Sequence, residues 1–151
     1  VYYTSGTTGR PKGVVDSHRN VLHNVMRYTN SLGFDRGDRL TLLQSPSFSG
    51  AVSSMFGALL NGATLCLYDV RKQGPAGLGD WLVRERITAY HSVPALFRQA
   101  MVGAPTFPDL RLVRIEGDVM SRLDWELFGT RCPRGAFPRR TGRPRNPADP
   151  A

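Results

Sequence analysis

Apolar residues in the first third of the chain recur at helical spacing. Val21, Leu22, Val25, Thr29 and Leu32 share one side of a 3.6-residue period, Ser17 stands where an N-cap belongs, and Gly33 supplies a C-terminal stop. The spacing predicts a helix over 17–32. Downstream, short apolar runs without alternation take turns with longer periodic stretches. Residues 39–44 read as a short buried strand, 49–60 as an apolar helix ended by Asn61 and Gly62, and 64–68 as another strand. A helix over 78–86, a strand over 88–92, a helix from Pro94 to Met101, a strand over 110–115 and a helix over 121–128 continue the alternation. Strands that stay apolar on both sides are covered on both faces. The expected fold class is therefore α/β, with about five strand–helix units forming a mainly parallel sheet with covering helices. No segment repeats at a fixed period, which argues against a solenoid.

Composition adds limits. The 151 residues are 40% apolar and 21% charged, enough for one domain with a single core. The net charge of +8 invites a nucleic-acid reading, but its source is local. Residues 131–151 hold Arg131, Arg134, Arg139, Arg140, Arg143 and Arg145 against Asp149 alone, and from Cys132 onward they carry five of the chain's 11 prolines. This divides the chain into a domain over 1–130 and an Arg/Pro-rich tail over 131–151 expected to be disordered. The charge follows the tail and not a patterned face, so no specific nucleic-acid partner is expected. Cys66 and Cys132 show neither a CxxC pattern nor metal-ligand spacing, and no apolar run approaches 18 residues. A cytoplasmic protein without a membrane partner is the default. Val1 to Thr4 reads as mid-strand, so the sequence is expected to be a piece whose upstream part is missing.

Residues 3–14 carry the chemistry: Tyr-Thr-Ser-Gly-Thr-Thr-Gly-Arg-Pro-Lys-Gly-Val. Two glycines among four hydroxyl residues, ending in a lysine, make a loop whose backbone N–H groups and hydroxyls can surround phosphate oxygens. A Walker A loop would need glycine at 11 and Ser or Thr at 13, where Pro11 and Gly13 stand. By composition alone such a segment is usually just a Gly/Thr-rich turn between a strand and the helix after it.

Its order resembles the signature phosphate loop, T-S-G-T-T-G-x-P-K-G, of the adenylate-forming (AMP-dependent synthetase/ligase) superfamily. That superfamily holds acyl-CoA synthetases, luciferases and the adenylation domains of nonribosomal peptide synthetases, and the last are the most similar. His18–Val25, Ser45–Leu65, Thr88–Phe97 and Leu110–Met120 are similar to further family segments, so the resemblance covers 1–130. It implies part of the large N-terminal domain of such an enzyme. The implied reaction has two steps: a carboxylate attacks the α-phosphate of Mg-ATP to give an acyl-adenylate and pyrophosphate, and a thiol then takes the acyl group. ATP and Mg2+ would be the cofactors. A carboxylic or amino acid would be the substrate, and coenzyme A or the pantetheine thiol of a carrier protein the acceptor. Thr4, Ser5, Thr7 and Thr8 would supply hydroxyls, Gly6 and Gly9 would let the backbone approach, and Lys12 would face the β- and γ-phosphates.

The resemblance also places an acyl pocket at Phe48, Ser49, Glu116 and Gly117. Peptide-synthetase adenylation domains usually carry an Asp after the aromatic residue, pairing with the substrate's α-amino group; here Ser49 follows Phe48, which opens the substrate to aryl, fatty or unusual amino acids. Glu116 replaces the first glycine of a Gly-Gly-Glu segment, putting a side chain where the family leaves room. Met55 and Phe56 are expected in the core. His91 either lines the pocket or is a hydrogen-bonded structural histidine. The family's Tyr-Gly-x-Thr-Glu motif, its ribose-binding Asp and the lysine-bearing C-terminal subdomain are not in this sequence. The expectation is an ATP-dependent carboxylate-activating ligase represented by its phosphate loop, with no adenylation by this chain alone. Alternatives are an inactive ATP- or pyrophosphate-binding module, an inert remnant, or a piece of an acyl-CoA synthetase. The abrupt change of composition suggests that the tail is encoded out of frame.

Overall fold

A computed structural model describes residues 1–4 and 11–136. The phosphate-loop residues Ser5, Gly6, Thr7, Thr8 and Gly9, and the tail after 136, lie outside them.

The chain opens with strands β1 (Tyr2–Thr4) and β2 (Lys12–Val14), an antiparallel pair in the register Tyr2 to Val14, Tyr3 to Gly13 and Thr4 to Lys12. Helix α1 (His18–Leu32) is next. Ser17 caps it by accepting from the Asn20 N–H at 3.2 Å, and Gly33 ends it in the left-handed region at φ 59°, where a Cβ is disfavoured. Then come β3 (Arg39–Leu42), α2 (Ser49–Leu59), β4 (Thr64–Leu67), the single turn α3 (Val70–Gln73) and α4 (Leu78–Arg84). The last elements are β5 (Ala89–Ser92), α5 (Pro94–Met101), β6 (Leu112–Ile115) and α6 (Arg122–Arg131).

Strands β4, β3, β5 and β6 lie in that order as a four-stranded sheet with every pairing parallel. Side chains alternate between its faces, so each strand feeds two cores. Leu40, Ala89 and Leu112 turn to one face and pack with Leu32 and Ala58, that is, against α1 and α2. Tyr90 and Val113 turn to the other, into a larger core with Leu78, Trp81, Phe97 and Met101. Burial on both faces is clearest in β5, where all four residues are buried, while the edge strand β4 is largely exposed.

The N-terminal ends of β3, β5 and β6 are fastened by one buried carboxylate. Asp38 accepts from Thr88 Oγ1 at 2.6 Å, from Arg111 Nε at 2.8 Å and from the Asp35 N–H at 3.1 Å. Arg111 also donates to the Leu32 and Gly33 carbonyls that end α1. Burial pushes the Asp38 carboxyl up, but the Arg111 and Thr88 hydrogen bonds outweigh it and hold it below the usual range.

Four points differ from the sequence reading. The glycine-rich loop joins two antiparallel strands and does not lead directly into α1; β2 is too short to show a period beside Pro11 and Gly13. The sheet has four parallel strands among the described residues, one fewer than the pattern suggested. Phe56 is not core: it is exposed on the outer side of α2, while Met55 is half-buried. Residues 131–136, assigned by composition to the tail, belong to the fold. Helix α6 runs to Arg131, Cys132 is buried in the larger core, and Ala136 bridges Leu112 beside β6. Burying a thiol and satisfying the edge of β6 outweigh the pull of the neighbouring prolines.

Candidate functional site

Open parallel sheets place ligands beyond the carboxyl ends of their strands, and the polar residues of this chain gather there. Gln44 follows β3, His91 lies in β5, Arg114 in β6, and Glu116 comes two residues later on the same face. Helix α2 lies across that face and contributes Ser53 and Ser54.

Their side chains form one network. Ser54 Oγ lies 3.0 Å from His91 Nδ1, and His91 Nε2 lies 3.3 Å from Glu116 Oε2. Arg114 donates from Nε to Glu116 Oε1 at 2.8 Å and from Nη1 to Ser53 Oγ at 3.0 Å; its Nη2 donates to the Tyr28 hydroxyl and to Glu116. The guanidinium also stacks on the Tyr28 ring, 4.0 Å from the centroid. His91 is buried and its N–H donates to Thr41 Oγ1 at 3.0 Å. Burial lowers the His91 pKa and outweighs the Glu116 hydrogen bond that raises it, so the ring is neutral at pH 7. A neutral ring accepts from Ser54 at Nδ1 and donates from Nε2 to Glu116. Burial raises the Glu116 carboxyl, but the His91 hydrogen bond and the Arg114 charge prevail and hold it at about 2. The carboxylate is thus ionised and compensated.

Of the residues read as an acyl pocket, Glu116 is part of this network, Gly117 follows it in the chain, and Phe48 and Ser49 stand at the start of α2. Ser49 is the first residue of α2, whose N-cap position is Phe48, and no side chain caps that end. A Cβ on Gly50 would stand 3.5 Å from His91 Cε1, which brings the start of α2 into contact with β5. Phe48 is half-exposed at 49%. Gly117 follows Glu116 with φ +92°, a conformation that L side chains rarely adopt, and a Cβ there would meet Val93 at 3.4 Å. Of the two readings of His91, the structure shows the buried, hydrogen-bonded histidine.

The hairpin is docked on the same place. The Tyr3 N–H donates to the Ser47 carbonyl at 3.3 Å and Tyr3 bridges Phe48 in parallel, so β1 lies one strand spacing from the start of α2. Thr4 and Lys12 are register partners at the open end of the hairpin, where the loop closes, and Lys12 is exposed. An exposed ammonium at the mouth of a hydroxyl- and glycine-rich loop suits phosphate oxygens. Among the described residues no group of three or more His, Cys, Asp or Glu is placed to hold a metal ion, so no residue is assigned to magnesium. No helix among them is long and apolar enough to cross a membrane.

Sequence reasoning missed Arg114, Ser53, Ser54, Tyr28 and Gln44. Strand alternation was the available signal for Arg114, which shares a face with Leu112 and Glu116. Nothing in the sequence joined Tyr28, 86 positions away, to it.

A family model described as "AMP-binding enzyme" matches residues 1–136. Tyrocidine synthase 3 of Brevibacillus parabrevis is 36% identical over 122 residues, 78% of this chain and 2% of that protein. Gramicidin S synthase 2 of Brevibacillus brevis is 35% identical over 115 residues, 76% of this chain and 3% of that protein. The chain therefore spans only a few per cent of the length of these relatives. Among solved structures, the nonribosomal peptide synthetase FmoA3 in its AMPPNP-bound form superposes with a TM-score of 0.78 at 28% identity, covering 90% of this chain and 15% of that one. The N-terminal domain of FACL13 from Mycobacterium tuberculosis shares the fold at 24% identity and a TM-score of 0.74, covering 89% of this chain and 34% of that one.

Proposed function

The chain belongs to the AMP-binding enzyme family, and from that premise we propose that it carries the phosphate grip and the acyl-side wall of a carboxylate-activating, adenylate-forming site. The observation that supports this reading is the bridge between Tyr3 in β1 and Phe48 at the start of α2, from which the hairpin end at Thr4 and Lys12 would reach phosphates while Phe48 and Ser49 would face the acyl group. A carboxylate held against Ser49 and Gly117 is then next to the place where phosphates are held. That adjacency is what attack on an α-phosphate requires.

In this reading ATP supplies the phosphorus to be attacked and the pyrophosphate that leaves. Lys12 sets its ammonium against the terminal phosphates, Thr4, Ser5, Thr7 and Thr8 add hydroxyl donors, and Gly6 and Gly9 admit the backbone. The thiol acceptor is carrier-protein pantetheine or coenzyme A, the former favoured by the resemblance to peptide synthetases. The chain taken alone binds phosphates without forming an adenylate, because the α-phosphate, ribose and metal contacts known from the family have no counterpart in its sequence.

Calorimetric titration of the 151-residue chain with pyrophosphate and with ATP tests the grip. Saturable binding is expected, weakened about tenfold or more in Lys12→Ala. Equal affinity in the wild type and Lys12→Ala, with both folded by circular dichroism, contradicts the assignment.

A further inference from the structure

At the amino ends of the strands, across the sheet from the candidate site, lies an open polar cavity of about 300 Å³. Its walls are Arg39 at the start of β3, Arg84, Glu85 and Arg86 at the end of α4, and Asp109 ahead of β6. We propose that it is a second ligand site for a small phosphorylated polyol, in which the guanidinium groups hold the phosphate and the carboxylates accept from hydroxyls.

The charges come first. Three guanidinium groups face two carboxylates, so one positive charge is unmatched. Glu85 is shared, with Oε2 3.2 Å from Arg39 Nη2 and Oε1 3.6 Å from Arg84 Nε, and Arg86 Nε stands 3.4 Å from Asp109 Oδ2. The Arg84 and Arg86 side chains are 68% and 76% exposed, and ion pairs so open to water hold little and exchange readily. Both Nη groups of Arg84 and of Arg86, and Nη1 of Arg39, make no hydrogen bond among the described residues. Several such forks around one cavity match the oxygens of a phosphate group.

The backbone of Arg86 is the second observation. Helix α4 closes with the Arg86 N–H donating to the Val83 carbonyl at 2.9 Å and the Ile87 N–H to the Leu82 carbonyl at 3.0 Å, a closure that usually sets glycine in the left-handed region. Arg86 takes that conformation at φ 50°, the only non-glycine residue with a positive φ among the described residues. Attraction of a cation to the helix end is already served by Arg84 in the last turn and by Arg39, which donates from Nε to the Glu85 carbonyl. What arginine adds at 86, against the conformational preference for glycine, is a third guanidinium on the cavity wall.

The rest of the ligand follows from the lining. No aromatic or aliphatic side chain lines the cavity, so a nucleobase or alkyl chain finds no surface to pack on. Asp109 Oδ1 accepts no hydrogen bond among the described residues and is open to a hydroxyl. A phosphate on a hydroxylated carbon chain meets both kinds of group.

Amide-resolved NMR of the full chain, titrated with glucose 6-phosphate, inorganic phosphate and glucose, tests this, with the Gly37 and Thr88 amides on the cavity wall as reporters. Glucose 6-phosphate is expected to shift them saturably, phosphate about tenfold more weakly, and glucose not at all. Arg86→Gly is expected to bind about tenfold more weakly or worse while its urea midpoint rises, and a folded Arg84→Gln to lose affinity likewise. Lys12→Ala is expected to leave the shifts unchanged. Silent reporters, equal response to glucose 6-phosphate and glucose or to glucose 6-phosphate and phosphate, or full affinity in Arg86→Gly overturns the proposal. So does a lowered midpoint in Arg86→Gly, which would tie Arg86 to the helix end, or loss of the shifts in Lys12→Ala, which would place the ligand at the hairpin.

Discussion

Glu116 is the residue on which sequence and structure pull furthest apart. Read along the chain it is a bulky replacement for glycine; in the fold it is one end of a strut that runs through Arg114 to Tyr28 and Ser53. Its carboxyl sits at about 2, below the ordinary value of 4.5, because the His91 hydrogen bond and Arg114 outweigh burial. A depressed folded-state value means that the strut contributes stability above about pH 4.5 and loses it as the pH falls toward 2. Carbon-detected NMR titration should place the Glu116 midpoint near 2, and Arg114→Leu should move it up. A midpoint at the ordinary value in the wild type would show that the pair does not form. Alternation along β6 was a signal for Arg114 that the sequence reading did not use, and the partners that bend Arg114 and Glu116 inward come from α1, α2 and β5, which no local pattern encodes.

At the scale of elements, Asp38 ties several starts together. It joins the start of β3 to Thr88 before β5 and to Arg111 before β6, and through Arg111 it reaches the end of α1. Arg111 is partly exposed and can turn to water when its partner is removed, so the loss falls on the hydrogen bonds that Asp38 accepts, and Asp38→Ala should destabilise the chain by about 1–3 kcal/mol, read as a lower urea midpoint with unchanged slope. Capping and spacing fixed most boundaries within a few residues: Ser17 and Gly33 for α1, Pro94 for α5, Ser121 for α6. Element length limited the rest. Lys12–Val14 and Val70–Gln73 are shorter than any period needed to reveal them, and α3 is held by the Asp69 carboxylate accepting from the Arg71 and Lys72 N–H groups. The continuation through Cys132 and Ala136 was hidden by composition, because proline and arginine content says nothing about one buried thiol or one bridge to Leu112.

For the molecule as a whole, the hairpin and the sheet meet where Tyr3 bridges Phe48, and in the proposed function the hairpin loop would hold phosphates while the carboxyl ends of the strands would face the acyl group. The candidate phosphate residues could be named from the sequence because their order along the chain is itself the motif, and Ser5, Gly6, Thr7, Thr8 and Gly9 among them lie outside the described residues. For the candidate acyl side the sequence offered only Phe48, Ser49, Glu116 and Gly117, because the side chains that gather round Glu116, Tyr28, Ser53 and Arg114, converge through topology. Binding and turnover should separate in this chain. The measurement that decides between a grip and a working enzyme is ATP–pyrophosphate exchange by the full 151-residue chain, screened over carboxylic acids with glycine and glycolate among them. No exchange above background by a preparation that still binds pyrophosphate is the expected result; exchange stimulated by any acid would contradict it.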